Sequence, residues 1–226
     1  MKSKMKTEIL PLLIIVIAII LGFYFYSVFP DQVPLHWNVY GQVDSWGSRL
    51  QGAIIGPAIL TGIYLLFLLI PLIDPKKEKY DQFAKTYLAI RLLLMLVIFG
   101  VFLIAALAGL GYKVRIEVWI PVLIGLLFIF LGNYMGKIKS NWFIGIRTPW
   151  TLSNDEVWDK THRLGGKLFM LLGLFMLTAP ILPGQFIFLG MIILIIVLTA
   201  VTTIYSYVLF KKYKKNEPGI AERSDT

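Results

Sequence analysis

The sequence predicts an all-α polytopic membrane protein with six transmembrane helices and both termini in the cytoplasm. Three observations predict it. Hydrophobic residues make up 58% of the 226-residue chain and charged residues only 15%, against roughly 25% charged in a soluble domain. Several apolar runs reach the ~18–20 residues that a helix needs to cross a bilayer, and they are continuous rather than alternating, which argues against a β-barrel. Lys and Arg gather almost entirely on one side of those runs.

The expected spans are 9–29, 52–73, 88–111, 117–136, 165–182 and 186–210. The first follows Lys2, Lys4 and Lys6. Its apolar run is too long for a signal peptide and no small-x-small site follows, so it is read as retained. The second holds Gly56, Pro57, Gly62 and Pro71, which lipid tolerates when neighbours satisfy the freed carbonyls. The third begins near Arg91, whose long side chain is expected to snorkel to the interface. The fourth contains Pro121. The fifth is short and ends in Pro180-Ile181-Leu182-Pro183-Gly184, a sharp reversal into the sixth.

Orientation follows from the positive-inside rule. Lys2, Lys4 and Lys6, then Lys76, Lys77, Lys79 and Lys85, then Lys137, Lys139, Arg147, Lys160, Arg163 and Lys167, then Lys211, Lys212, Lys214, Lys215 and Arg223 all fall on one side. Arg49, Lys113 and Arg115 fall on the other. The resulting organisation is an N-terminal membrane half, 1–111, with an extracytoplasmic loop 30–51; a second half, 112–210, with a cytoplasmic loop 137–164; and a basic tail, 211–226. The net charge of +9 reads as topology plus attraction to anionic membrane lipids. Direct nucleic-acid binding is the weaker reading, because the basic residues are scattered over four segments. The chain has no cysteine, which removes disulfides, thiolate catalysis and Cys-ligated zinc or iron–sulfur clusters. All six tryptophans lie in loops or near span ends, where an interfacial aromatic belt would place them.

Two loops carry the chemistry. In the outer one, Leu35, Trp37 and Val39 alternate with His36 and Asn38, a short strand-like pattern. Tyr40-Gly41 and Trp46-Gly47 supply turns. A compact, partly extended lid on the membrane surface is expected. Asp31, His36 and Asp44 are its chemical groups, but one His with two carboxylates at no helical spacing is a weak metal signal. Neither a metal nor a cofactor is expected. In the inner loop, Ser153-Asn-Asp-Glu156 fits a capping box, so a short amphipathic interfacial helix is expected from Asn154, leading through Gly165-Gly166 into the fifth span. His162 with Asp155 or Asp159 suggests acid–base work; a capped helix with locally paired charges is the structural alternative. Arg147 stands as a lone cation between Gly145-Ile146 and Thr148-Pro149, with Trp142 and Trp150 near enough in sequence to stack on it. No phosphate-binding glycine loop, H-E-x-x-H or G-x-S-x-G occurs.

Gly132-Asn133-Tyr134-Met135, Asn141, Gly145-Ile-Arg147-Thr148-Pro149-Trp150-Thr-Leu152, Val157-Trp158, Thr161-His162-Arg163 and Gly166 closely resemble the signature of the SdpI family of bacterial multi-pass membrane proteins. Pro30-Asp-Gln32, Pro34, His36-Trp37-Asn38, Gly41, Asp44 and Trp46-Gly-Ser48 look like the domain of unknown function that forms the N-terminal half of many SdpI-type proteins. The resemblance implies a non-enzymatic protein of the bacterial cell membrane. It implies immunity to a secreted, membrane-active peptide toxin, and a receptor role that holds a cytosolic repressor at the membrane. The partners implied are therefore a peptide toxin, a repressor and membrane lipids. Binding candidates are His36, Trp37, Asn38, Asp44 and Trp46 outside, and Asn133, Asn141, Arg147, Thr148, Pro149, Trp150, Trp158, His162 and Arg163 inside. A small transporter or channel is the alternative, opposed by the scarcity of ionisable residues in the spans. A membrane enzyme is a second alternative, opposed by the two histidines lying on opposite sides of the bilayer.

Overall fold

The computed structural model describes residues 2–215, with side chains described from Thr7 onward; the basic tail beyond Lys215 lies outside the described residues. The chain is mostly helical. Helices α1 (Lys2–Val28), α2 (Arg49–Ile73) and α3 (Ala84–Gly109) form the first half, and α4 (Ile116–Met135), α5 (Pro149–Ser153), α6 (Asp155–Met176) and α7 (Gly184–Lys215) the second. Strands β1 (Gln32–Trp37) and β2 (Val43–Ser48) pair antiparallel between α1 and α2. This hairpin corrects a purely helical reading: Leu35 and Trp37 of the alternating stretch lie in strand, while Val39 lies in the turn.

Among the described residues, five helices are long and apolar enough to cross a membrane: Thr7–Val28, Arg49–Ile73, Lys77–Gly109, Ile116–Met135 and Gly184–Lys215. The expected fifth span is not among them. Instead of an interfacial helix followed by a span, α6 is one continuous helix. Its first turns carry Asp155, Glu156, Asp159, Lys160 and Arg163, which dilute its hydropathy. Gly165-Gly166 does not break it, because both glycines are buried inside it. They serve contact: a side chain on Gly166 would strike the Gly132 carbonyl oxygen, and one on Gly173 the Gly125 carbonyl oxygen. Helix α6 thus lies antiparallel on α4 at backbone distance, the most extensive helix pairing in the molecule.

Two hydrophobic clusters hold the rest. One joins α1, α2 and α3 through Ala18, Phe25, Leu60, Met95 and Phe102, and takes in Val33 of the hairpin. The other joins Phe67, Tyr80, Phe83, Tyr87 and Ile90 to Ile138 and Trp158, and so ties the first half to the inner loop. The hairpin and the start of α7 share one end of the bundle, since Gly184 abuts the Val39 carbonyl and Gly41 abuts Glu117. The 136–154 segment, the 3₁₀ stretch Lys77–Phe83 and the end of α7 share the other, where Lys79 meets Asp155 and Lys160 meets Tyr213.

Arg91 does not snorkel. Its side chain is 2% exposed and its Nη2 lies 2.9 Å from Glu8 Oε1 of α1. The guanidinium stands 5.4 Å from the Tyr64 ring centroid, and the Tyr64 hydroxyl donates to Glu8 Oε2 at 3.0 Å. Glu8 reaches it because α1 packs on α3. The buried Arg91 is thus paired with a half-buried Glu8 at the start of the first span.

Candidate functional site

The inner loop is built from buried polar groups. Asn141 is completely buried. Its amide donates to the carbonyls of Lys139 and Ile144, both at 2.9 Å, and its Oδ1 accepts from the Phe143 and Ile144 amides at 2.9 and 2.7 Å. One side chain thereby replaces the backbone ladder that this irregular stretch lacks. Gly145 follows at φ +120, where an L side chain is strained, and a Cβ there would collide with His162. The turn brings the Ile146 amide onto His162 Nε2 at 2.9 Å, while His162 Nδ1 lies 2.8 Å from the Trp158 carbonyl. That pairing fixes a neutral tautomer, Nδ1–H donating and Nε2 accepting. Burial drives the imidazole from its ordinary 6.5 down to about 4, against the smaller upward pulls of the Trp158 carbonyl and Asp159. His162 is a structural acceptor within α6, as in the structural alternative, with both ring nitrogens engaged by backbone groups. Trp158, also completely buried, stacks on it at 4.0 Å between centroids, and its indole donates to the Ile138 carbonyl at 2.8 Å.

Thr148 and Thr151 form the capping box that starts α5, with Pro149 at its first helical position. The expected box at Ser153 is displaced. Ser153 Oγ donates back to the Pro149 and Trp150 carbonyls, and Asn154 caps α6 by accepting from the Glu156 and Val157 amides. Thr148 Oγ1 also lies 3.0 Å from Ser206 Oγ of α7, and the Trp150 ring leans on Tyr207 at 5.0 Å. Arg147 is exposed and its Nη1 donates to the Trp142 carbonyl at 2.5 Å. It does not stack between Trp142 and Trp150, because Trp150 is taken by Tyr207. Asn133 and Arg163 are exposed on α4 and α6 and join none of these hydrogen bonds.

Sequence reasoning missed the scaffold beneath this loop. Asp74, 2% exposed, accepts from the Lys76 amide, the Tyr80 hydroxyl and the Trp142 amide. Lys76 Nζ donates to Ser140 Oγ at 2.7 Å and to the Leu152 carbonyl at 3.1 Å. The Lys79 ammonium hydrogen-bonded to Asp155 holds that carboxyl below its ordinary range. These lysines count as topology in the sequence; the signal that could have exposed them is Asp74-Pro75, an acid placed where a span ends.

The outer hairpin is arranged differently. Asn38 Oδ1 accepts from the Tyr40 and Gln42 amides, and Gly41 supplies φ +76. His36 Nδ1 lies 2.6 Å from Asp44 Oδ1 across the hairpin, with both side chains exposed. Arg49 pairs with Asp31. Trp46 is 58% exposed, while Trp37 is half-buried. Asp31 is tied to Arg49, apart from the His36–Asp44 pair, and among the described residues no three His, Cys, Asp or Glu side chains gather to ligate a metal.

A helical bundle with, among the described residues, five bilayer-length apolar helices and a polar module at each end defines a multi-pass membrane protein. The comparisons then specify it. The model described as SdpI/YfhL protein family matches residues 137–206, and the one described as Domain of unknown function (DUF1648) matches 13–61. The chain is 29% identical over 208 residues to the Immunity protein SdpI of Bacillus subtilis (strain 168), covering 92% of this chain and 98% of that protein. No solved structure matches.

Proposed function

We propose that this protein protects its own cell from a secreted, membrane-active peptide toxin, and that it also serves as a receptor recruiting a cytosolic repressor. The observation that supports this reading is the near full-length similarity to a protein named for immunity. The architecture is compatible: an exposed aromatic and polar hairpin at one end, and an ordered loop with an exposed Arg147 at the other. His36, Trp37, Asn38, Asp44 and Trp46 are proposed to meet the toxin side, and Arg147 with Pro149 and Trp150 the cytosolic side. Asn141, Trp158 and His162 act beneath them by holding the loop. The test is expression in a toxin-sensitive bacterium, scored for survival; unprotected cells with normal membrane levels of the protein would overturn it.

The same reading includes six crossings with both ends inside. It is supported by α6 running beside α4, so that the turn 177–183 returns the chain to the hairpin end. A reporter active only outside the membrane, fused after residue 226, should stay silent. Strong activity would exchange the roles of the two loops.

A small transporter is a second reading, favoured by the buried Arg91 and its half-buried partner Glu8, since ionisable groups inside spans commonly mark pathways. Glu8→Gln with Arg91→Met removes both charges. Survival unchanged in that variant supports the immunity reading over the transport one.

A further inference from the structure

Helix α7 presents an unusual face. Only Ile187, Thr202 and Ser206 are buried along its length. Beside the face that carries Thr202 and Ser206, an open groove of about 530 Å³ is lined by Ile195, Ile196, Thr199, Ala200, Thr203 and Ile204. A second cavity, of about 400 Å³, is lined by Trp150, Tyr207, Phe210, Lys211, Lys214 and Lys215. At ~100° per residue, Ile196, Ala200, Thr203, Tyr207, Lys211 and Lys214 fall on one stripe. The two cavities are thus successive parts of one surface, apolar first and then basic and aromatic.

The dimensions suit one leaflet. Ala200 and Lys211 are about 16 Å apart along the axis at ~1.5 Å per residue, and half of a ~30 Å hydrocarbon core is similar. The lysines sit at the end that the charge distribution assigns to the cytoplasm. Among the described residues no carboxylate pairs with Lys211, Lys214 or Lys215. Lys211 lies 4.7 Å from the Tyr207 ring centroid, and Trp150 packs against the same ring. A cationic cup with an aromatic wall, opening onto an apolar groove, has the polarity of an amphiphile with an anionic head.

We propose that this face of α7 is a site for an anionic phospholipid of the inner leaflet. The acyl chain lies along Ile196–Ile204, the phosphate is held by Lys211, Lys214 and Lys215, and the headgroup rests against Trp150 and Tyr207. The site goes beyond the immunity reading and does not depend on it. Because Trp150 follows Thr148, whose hydroxyl meets Ser206 on the same helix, the lipid would also brace α5 against α7.

The test is lipid retention on the purified protein in detergent, read by native mass spectrometry with phosphatidylglycerol or phosphatidylcholine added, so its failure says nothing about protection. The wild type should keep one phosphatidylglycerol about tenfold more readily than phosphatidylcholine. Lys211→Gln, Lys214→Gln and Lys215→Gln together should abolish that preference. Lys77→Gln, Lys85→Gln and Lys137→Gln, the same charge removed from exposed positions elsewhere at that end, should preserve it. Ala200→Phe should weaken retention with the charge intact. Equal loss in both triple variants would reduce the effect to diffuse charge and overturn the proposal. So would soluble glycerol phosphate binding as tightly as the lipid. Circular dichroism of each variant separates a lost site from a lost fold.

Discussion

The outer hairpin and the inner loop look alike in sequence and differ in construction. Both are rich in aromatic, polar and turn-forming residues. Outside, the polar groups are satisfied by near neighbours and face water: His36 pairs with Asp44, and Asn38 with its own turn. Inside, they are buried and bonded to distant segments, Asp74 to Trp142 and Lys76 to Ser140. The difference teaches that similar composition can serve display in one place and locking in another. Exposed pairs contribute little to stability, whereas a buried polar group left alone costs its full desolvation.

The comparison breaks first at Asn141. Asn141→Ala strands several buried backbone groups and should destabilise the protein by on the order of 3 kcal/mol. Thermal unfolding in detergent measures this; a midpoint close to wild type would mean the inner loop is no more locked than the outer one. The next effect is pH dependence. His162 has its pKa depressed to about 4 from 6.5 in the fold, so the unfolded chain binds the proton first. Its contribution is complete above about pH 6.5 and is lost as pH falls from there through about 4. The protection of the Ile146 amide against hydrogen exchange, taken relative to the intrinsic rate at each pH, should fall across that window, and a His162→Gln protein should lose the dependence.

Smaller effects sharpen the contrast. Arg147→Lys should change stability by less than about 0.5 kcal/mol, as exposed substitutions do, while lowering protection, because a lysine lacks the planar fork. Full protection by Arg147→Lys would return Arg147 to a topological charge. Smallest of all on stability is His36→Ala, which removes an exposed pair worth about 0.2–1 kcal/mol. Survival assays should nonetheless show a loss; wild-type survival would leave the hairpin a structural cap.

Much of the helical layout was legible, because apolar runs and turn residues are local signals. Alternation at Leu35 and Trp37 marked extended chain in the outer loop, though not its pairing with Val43–Ser48. Gly165-Gly166 read as a junction, since nothing local reveals that Ile146 packs on the first and Gly132 of another helix on the second. The α6 cap was misplaced by one residue because Ser153 matches the motif, while Asn154 is better placed to accept two amides. Arg91 looked peripheral because its partner Glu8 lies 83 residues away. Trp150 was assigned to Arg147 by proximity in sequence, and Tyr207 claimed it in space. Asp74 was overlooked for the same reason: its contact with Trp142 spans 68 residues.

The glycine contacts between α4 and α6 carry a mechanical consequence. Gly125 meets Gly173 and Gly132 meets Gly166, two crossings separated by the same seven residues on each helix, or about two turns. Sliding either helix by one residue would drive a side chain into a carbonyl oxygen at both points at once. The two contacts therefore act as a pair of notches that set the register of α6 on α4 and hold Asp155 at a fixed height above the inner loop.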